Sequence, residues 1–255
     1  MQVTVLGKSP SWQDAAGACS GYLIRHEGYT LLLDCGSGVF GKLRSLIDYR
    51  AVDAVVITHL HADHYFDLVP FSFGLTHGVR PDPPAPELHA PPGSGERFAV
   101  IGGLLGDDTL ISGAFTLREY DPAQELALGP LRLRFREVPH FVLTHAVRIS
   151  GSGGATPCGV VTFGADCGPN EALPALARDS DLMFVEATLG EPDLSEPRGH
   201  LTAREAGEHG RAAGARRLVL THFSDELDPE TVRREGSGGY GSVVELAAEG
   251  AVFEL

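Results

Sequence analysis

The chain has 255 residues, 43% hydrophobic and 21% charged, and its 34 acidic against 20 basic side chains leave a formal charge of −14. This composition excludes a disordered or collagenous chain and fits a globular protein with a sizeable core, read as one domain over residues 1–255. The acidic balance, with no basic run to offset it, disfavours extended nucleic acid as a partner.

In chain order, Met1 to Lys8 lacks a basic leader, a long apolar segment and a small-residue cleavage site. It reads as an opening strand, and the expected location is the cytoplasm. No apolar run approaches the roughly 18 residues of a membrane span, so no membrane association is expected. Cys19, Cys35, Cys158 and Cys167 lie far apart and outside any Cys-x-x-Cys pair, which points to reduced, buried thiols. Gly38 to Tyr49 sets Val39, Phe40, Leu43, Leu46 and Ile47 at helical spacing, predicting an amphipathic helix packed on a sheet. Ala51 to Ile57 is a short, apolar, β-branched run, the pattern of a buried strand, and it ends at Thr58-His59. From Gly78 to Gly95 the prolines Pro81, Pro83, Pro84, Pro86, Pro91 and Pro92 predict a surface connection without regular structure.

Leu131 to Arg136 alternates apolar and basic residues, which places Arg132, Arg134 and Arg136 on one face of a half-buried strand ending near His140. Val160 to Phe163 ends before Asp166, Leu182 to Val185 ends at Glu186, and Leu218 to Leu220 ends before His222. Five predicted strands thus terminate in an ionisable residue. Thr202-Ala203-Arg204-Glu205 has capping-box spacing and opens a helix running toward Gly214, a C-cap. No internal repeat of fixed period is visible.

The chemistry concentrates in His59-Leu60-His61-Ala62-Asp63-His64. In a turn after a strand, His59 and His61 can converge on one metal while Asp63 and His64 face a second. Imidazole nitrogen and carboxylate oxygen are donors that zinc accepts at neutral pH; manganese and iron accept them too. Four metal-ligand residues within six, directly after a buried strand, are more than a chance group of polar loop residues.

Thr-His-x-His-x-Asp-His after an apolar strand resembles the metallo-β-lactamase fold superfamily, and Leu31-Leu32-Leu33-Asp34-Cys35-Gly36 matches its first motif. The resemblance implies an α/β fold, a four-layer αβ/βα sandwich with two divalent metal ions at one edge of the sheets. It implies that Asp34 bonds to a ligand histidine or its loop. His140 matches the third histidine, Asp166 the bridging carboxylate and His222 the last histidine. One metal, expected to be zinc, would take His59, His61, His140 and Asp166; the other would take Asp63, His64, Asp166 and His222.

Within that superfamily the chain is most similar to the ribonuclease Z branch and the related bacterial cyclic-nucleotide phosphodiesterase-like proteins, over nearly its whole length. The residues that carry this are His140 with Ala146-Val147-Arg148-Ile149, Phe184 to Thr188, Gly199 to Ala203, and Leu220 to Ser224. Glu186 and His200 match a pair that assists the phosphate and leaving group, and Asp63 would orient the nucleophile or take its proton; these three are the catalytic candidates. Homodimerisation follows only from the resemblance. Two departures bear on substrate. The tRNA-gripping arm of ribonuclease Z follows the third histidine, but only 25 residues separate His140 from Asp166. The family's His-Glu-Ala-Thr stretch begins here with Val185.

The expected reaction is hydrolysis of a small phosphodiester such as a cyclic nucleotide. Alternatives are a ribonuclease Z-like RNA 3′-end endonuclease, a carbonyl-directed hydrolase (lactonase, thioesterase or β-lactamase-like) and a non-catalytic metal-binding module. His26, His77, His89 and His209 read as surface or loop residues, and His145 as a residue near enough to His140 to line the pocket.

Overall fold

The computed structural model describes residues 1–79, 85–151, 159–193 and 197–255, and there the apolar runs become strands. The first sheet draws on β1 (Gln2–Gly7), β2 (Gly21–His26), β3 (Tyr29–Leu33), β4 (Ala54–Val56), β5 (Glu87–Ala90) and β6 (Thr116–Glu119). Between them in sequence come α1 (Val39–Leu46), α2 (Ala62–Tyr65), α3 (Leu68–His77) and α4 (Ser94–Leu104). The second sheet holds β7 (Leu126–Leu128), β8 (Leu131–Val138), β9 (Thr144–Gly151), β10 (Val160–Phe163), β11 (Leu182–Glu186), β12 (Leu218–Thr221) and β13 (Glu245–Leu246). Its helices are α5 (Ala172–Leu176), α6 (Ala203–Ala213) and α7 (Pro229–Tyr240). β14 (Val252–Glu254) returns to the first sheet, where Phe253 pairs with Val3.

The orders are β14-β1-β2-β3-β4-β5-β6 and β13-β12-β11-β10-β9-β8-β7. Read from β14 and from β7, each sheet makes three antiparallel pairings and then three parallel ones. The halves repeat one topology that no sequence period announces.

Strand alternation explains the layers. In β3, Leu31 and Leu33 join the core between the sheets with Val3, Ile24, Leu133, Ile149 and Phe184, whereas Leu32 faces the opposite side with Val39, Leu43 and Phe71 of the helices. In β11, Phe184 faces the inter-sheet core while Met183 and Val185 meet Ala206 and Ala213 of α6. A strand covered on both faces must be apolar throughout, which is why these runs are continuous. The result is the expected αβ/βα sandwich of four layers.

α6 carries the full capping box. Thr202 Oγ1 accepts from Glu205 N, the Glu205 carboxylate accepts from Thr202 N, and Gly214 closes the helix in the left-handed region. The proline-rich stretch departs from expectation. Its described part contains β5 in parallel register between β4 and β6, and α4 begins at Ser94. Pro81, Pro83 and Pro84 lie outside the described residues. Among the described residues no helix is long and apolar enough to cross a membrane.

Candidate metal centre

The parallel strands β3, β4, β10, β11 and β12 end at one edge of the two sheets, where an α/β fold places its ligands. β4 runs into Thr58-His59, and the four-residue α2 presents Asp63 and His64. Cys35 N donates to His64 O at 2.7 Å and Asp67 N to Cys35 O at 3.0 Å, which fastens α2 to the end of β3. Gly36 is required there, since a Cβ on it would stand 1.8 Å from Asp63 O. Asp34, Ala165 and His222 have φ of 58°, 51° and 53°, left-handed values for residues other than glycine. Such backbone costs roughly 1–3 kcal/mol per residue and is held only where the surroundings compel it. All three stand just beyond β3, β10 and β12, at this edge.

All seven expected ligand residues come together. One ligand atom from each of His59, His61, His140 and Asp166 falls within 4.8 Å of the others, and so it does for Asp63, His64, Asp166 and His222. In the first group His140 Nε2 faces His61 Nδ1 at 3.0 Å, and Asp166 Oδ2 is 3.8 Å from His59 Nε2 and 3.9 Å from His140 Nε2. In the second, His222 Nε2 is 3.2 Å from Asp63 Oδ2 and 3.4 Å from Asp166 Oδ2, while His64 Nε2 is 3.3 Å from Asp166 Oδ1. Asp166 therefore stands between the two groups.

The far nitrogen of four histidines is held, which decides the tautomer. Thr58 Oγ1 donates to Asp34 Oδ2 at 2.9 Å, so its contact with His59 Nδ1 at 3.1 Å accepts a proton from the ring and leaves Nε2 bare. His64 Nδ1 donates to Asp34 Oδ2 at 2.7 Å, and His140 Nδ1 to Gly199 O at 2.8 Å. Thr188 Oγ1 gives its proton to Glu186 Oε2 at 2.6 Å and so accepts from His222 Nδ1 at 3.0 Å. Orientation of a ligand imidazole through its second nitrogen is the usual support of a metal site. Correspondingly, His59 Nε2 and His64 Nε2 are buried without any hydrogen-bond partner in the protein. Orphaned nitrogens converging on a carboxylate from the two groups fit bound cations, which would complete them.

The charges agree. Burial, and for His59 also the neighbouring His64, pushes the His59, His61 and His140 imidazoles below their ordinary pKa, which keeps them neutral and able to bind metal. Burial works against an ionised Asp166, but His222 and His64 outweigh it and hold the carboxyl well below the usual range. Burial likewise opposes ionisation of Asp63, and the adjacent His222 and His64 rings outweigh it and hold the carboxyl below its usual range. His64 is the exception: despite its burial, Asp166 and Asp34 push its imidazole up, so in the metal-free protein it holds on Nε2 the proton that a cation would displace.

Beside this cluster, His200 Nδ1 donates to Glu186 Oε1 at 2.9 Å. The His200 ring packs against one histidine of each group, with centroids 5.0 Å from His140 and 5.9 Å from His222. Burial lowers the His200 pKa, but the Glu186 contact outweighs it and the net shift is upward. Glu186 also accepts from Cys167 N and Thr188 N, both at 3.1 Å.

Several residues behave differently from expectation. His145 is 1% exposed, and its Nδ1 meets the Tyr120 hydroxyl at 3.1 Å, so it supports the end of β4 from within the core and does not line the pocket. His26, His89 and His209 are buried, not surface residues; His89 Nε2 bonds Glu87 and His209 Nε2 accepts from Asn170 N. His77 is exposed. Cys19, Cys35 and Cys167 are free and buried, with burial pushing Cys19 up to about 12; Cys158 lies outside the described residues. Thr58 and Thr188, which set the tautomers of His59 and His222, carried no role in the sequence reading. Their signal was adjacency, one directly before His59 and one two residues after Glu186.

A family model for the beta-lactamase superfamily domain matches residues 29–223. The chain belongs to the beta-lactamase superfamily. It is 31% identical over 260 aligned residues to the "Probable metallo-hydrolase YhfI" of Bacillus subtilis (strain 168), with the whole of both chains covered. The crystal structure of that metallo-beta-lactamase fold protein superposes with a TM-score of 0.85 at 28% identity, over 99% of this chain and 98% of the other. Ribonuclease Z of Myxococcus xanthus is 29% identical over 308 aligned residues, spanning all of this chain and 98% of that one. A diphosphatase from the PhnP family shares the fold, with a TM-score of 0.74 at 20% identity over 100% of this chain and 97% of that one. As a superfamily member with this His/Asp cluster, the chain is a metal-dependent hydrolase.

Proposed function

We propose that this superfamily member is a phosphodiesterase for a small phosphodiester such as a cyclic nucleotide. It would use two divalent cations, zinc before manganese or iron, held by His59, His61, His140 and Asp166 and by Asp63, His64, Asp166 and His222. When bound, such a pair supplies a water of lowered pKa and a positive clamp for a phosphate oxygen. The protein's own part is positional and protic. Asp63, kept ionised by its histidine neighbours, is a carboxylate within the cluster that can orient the attacking water by accepting its hydrogen bond. His200 is the acid. With Nδ1 engaged by Glu186, its free Nε2 can give a proton to the departing alkoxide, and the Glu186 contact favours the protonated ring that this role needs.

The observation that carries the phosphodiester reading is this Glu186–His200 pair, whose imidazole meets His140 of one group edge-on and stacks on His222 of the other. A small substrate is supported by length as well. Alignment with the Myxococcus ribonuclease Z runs over 308 positions against the 255 residues of this chain, whereas alignment with YhfI needs 260. The relative with a ribonuclease name thus carries segments that this chain does not.

The test is a substrate panel on the purified, metal-loaded protein: bis(p-nitrophenyl) phosphate, cyclic nucleotides, a lactone and a thioester. Diester hydrolysis is expected. His200→Ala should lower kcat by about 10²–10⁴ for a cyclic nucleotide, whose alkoxide must be protonated. It should matter far less for p-nitrophenolate, which leaves as the anion. Turnover of only lactone or thioester would overturn the reading, and equal losses on both diesters would remove His200 as the acid.

A further inference from the structure

The rim of the site holds an aromatic ring that this chemistry does not use. Phe141 follows His140 in the turn between β8 and β9, and 54% of its surface is exposed. Its ring centroid lies 5.0 Å from that of His140 and 6.0 Å from that of His200. Gly199 admits it: a Cβ at that position would meet the Phe141 ring at 2.4 Å, so any other residue would drive the ring away from the pair. Leu143, 42% exposed, continues the apolar rim.

Two other phenylalanines among the described residues are exposed to a similar degree, but Phe66 packs beside Tyr65 and Phe73 beside His77. Phe141 is the one whose ring touches histidines of the site. A half-exposed aromatic ring beside a polar reaction centre keeps apolar surface in water, a cost relieved when a ligand covers it. The ligand that reaches the reaction centre is the one placed to cover it.

Resting on the phosphodiesterase reading, we infer that Phe141 is the stacking surface for the base of a nucleoside phosphodiester, with purines preferred over pyrimidines for their larger face. Every nucleobase presents a π-face, so such a platform needs no base-edge hydrogen bonds. It also suits a chain of charge −14, which has no general electrostatic grip on a nucleotide away from its metals. Phe141 makes no contact with the reacting atoms; it is a specificity-determining residue, and its effect should fall on KM.

The experiment compares wild type, Phe141→Ala, Phe141→Leu and Phe141→Trp, all metal-loaded, on a purine and a pyrimidine cyclic nucleotide and on methyl p-nitrophenyl phosphate, which has no base. Removing one stacking ring should raise KM for the purine nucleotide by about five- to a hundred-fold while kcat moves less than about two-fold. Trp should restore KM, and Leu, which keeps apolar bulk without a ring, should not. The kcat/KM ratio of purine nucleotide to base-free diester should fall in Phe141→Ala by the same factor as KM rises. Unchanged nucleotide KM in Phe141→Ala, or equal rescue by Leu and Trp, overturns the subsite while leaving the phosphodiesterase reading standing. A wild-type protein inactive on all three diesters defeats the phosphodiesterase reading instead. Melting curves of the four proteins should coincide, since the ring is half in solvent; a large fall for Phe141→Ala would mark a packing role and count against the proposal.

Discussion

Asp34→Asn changes one atom and should disable half of the metal centre. Asp34 is 3% exposed, and its carboxylate accepts three hydrogen bonds, from Thr58 N at 2.8 Å, Thr58 Oγ1 at 2.9 Å and His64 Nδ1 at 2.7 Å. Every partner is a donor, so an amide cannot replace it. If the amide oxygen faces Thr58 N, the NH2 confronts His64 Nδ1–H and Thr58 Oγ1–H; if it is flipped, the NH2 confronts Thr58 N–H at 2.8 Å. In the first arrangement His64 escapes by moving its proton to Nε2, the nitrogen that faces Asp166 at 3.3 Å. An Nε2–H cannot bind a cation. Loss of such a supporting contact typically weakens a metal site by about 10- to 100-fold. A donor left buried without an acceptor costs about 1–3 kcal/mol, and each kcal/mol lowers Tm by roughly 2–4 °C in a protein of this size. Titration of metal-free protein with zinc against a competing chelator, combined with thermal melts, reads both effects. Two sites of wild-type affinity and an unshifted Tm in Asp34→Asn would refute the tautomer argument.

Asp166→Ala should differ in kind from His61→Ala. Asp166 stands between both ligand groups and His61 belongs to one, so metal analysis after gel filtration should show Asp166→Ala losing both ions and His61→Ala retaining one. Equal retention would show that Asp166 does not join the groups. Away from the site, Glu205 is expected to confer acid-sensitive stability. Its burial raises the carboxyl pKa, but Arg198 and the Thr202 contacts outweigh this and the net shift is downward. A depressed carboxyl stabilises the fold fully above the unfolded value, about 4.3, and loses that contribution as pH falls through the folded value. The Tm difference between wild type and Glu205→Gln should therefore be greatest near neutrality and shrink below about pH 4.3; a gap that widens in acid would contradict the sign.

What was legible in the sequence was whatever local physics writes down. The runs that become β3, β4, β11 and β12 are apolar on both faces, and the ligand residues sit directly at strand ends, where one-dimensional spacing still tracks geometry. The capping box of α6 is equally local. β5 was not legible, because Glu87-Leu88-His89-Ala90 is four residues long and is a strand only through its parallel neighbours β4 and β6. His145, His26, His89 and His209 show the same limit. A histidine's burial is decided by which strand or helix lies opposite, and nothing in its own segment reports that. Thr58 and Thr188 were visible as motif letters, yet their role arises from three-way hydrogen bonds spanning 24 and 34 residues.

The repeated topology has a consequence for how the two halves hold together. Asp34, His59, His61, Asp63 and His64 follow strands of the first sheet, while Glu186 ends a strand of the second, Asp166 and His222 follow its strands and His140 and His200 lie in its connections. Neither half owns a complete set of ligands. Any cation bound by both sets is a clasp at one edge of the sandwich, and its binding free energy is spent in part on keeping the two sheets docked. Chelation should then loosen the mouth of the sandwich first, with hydrogen exchange quickening at the ends of β4, β10 and β12 before it reaches the apolar layer beneath.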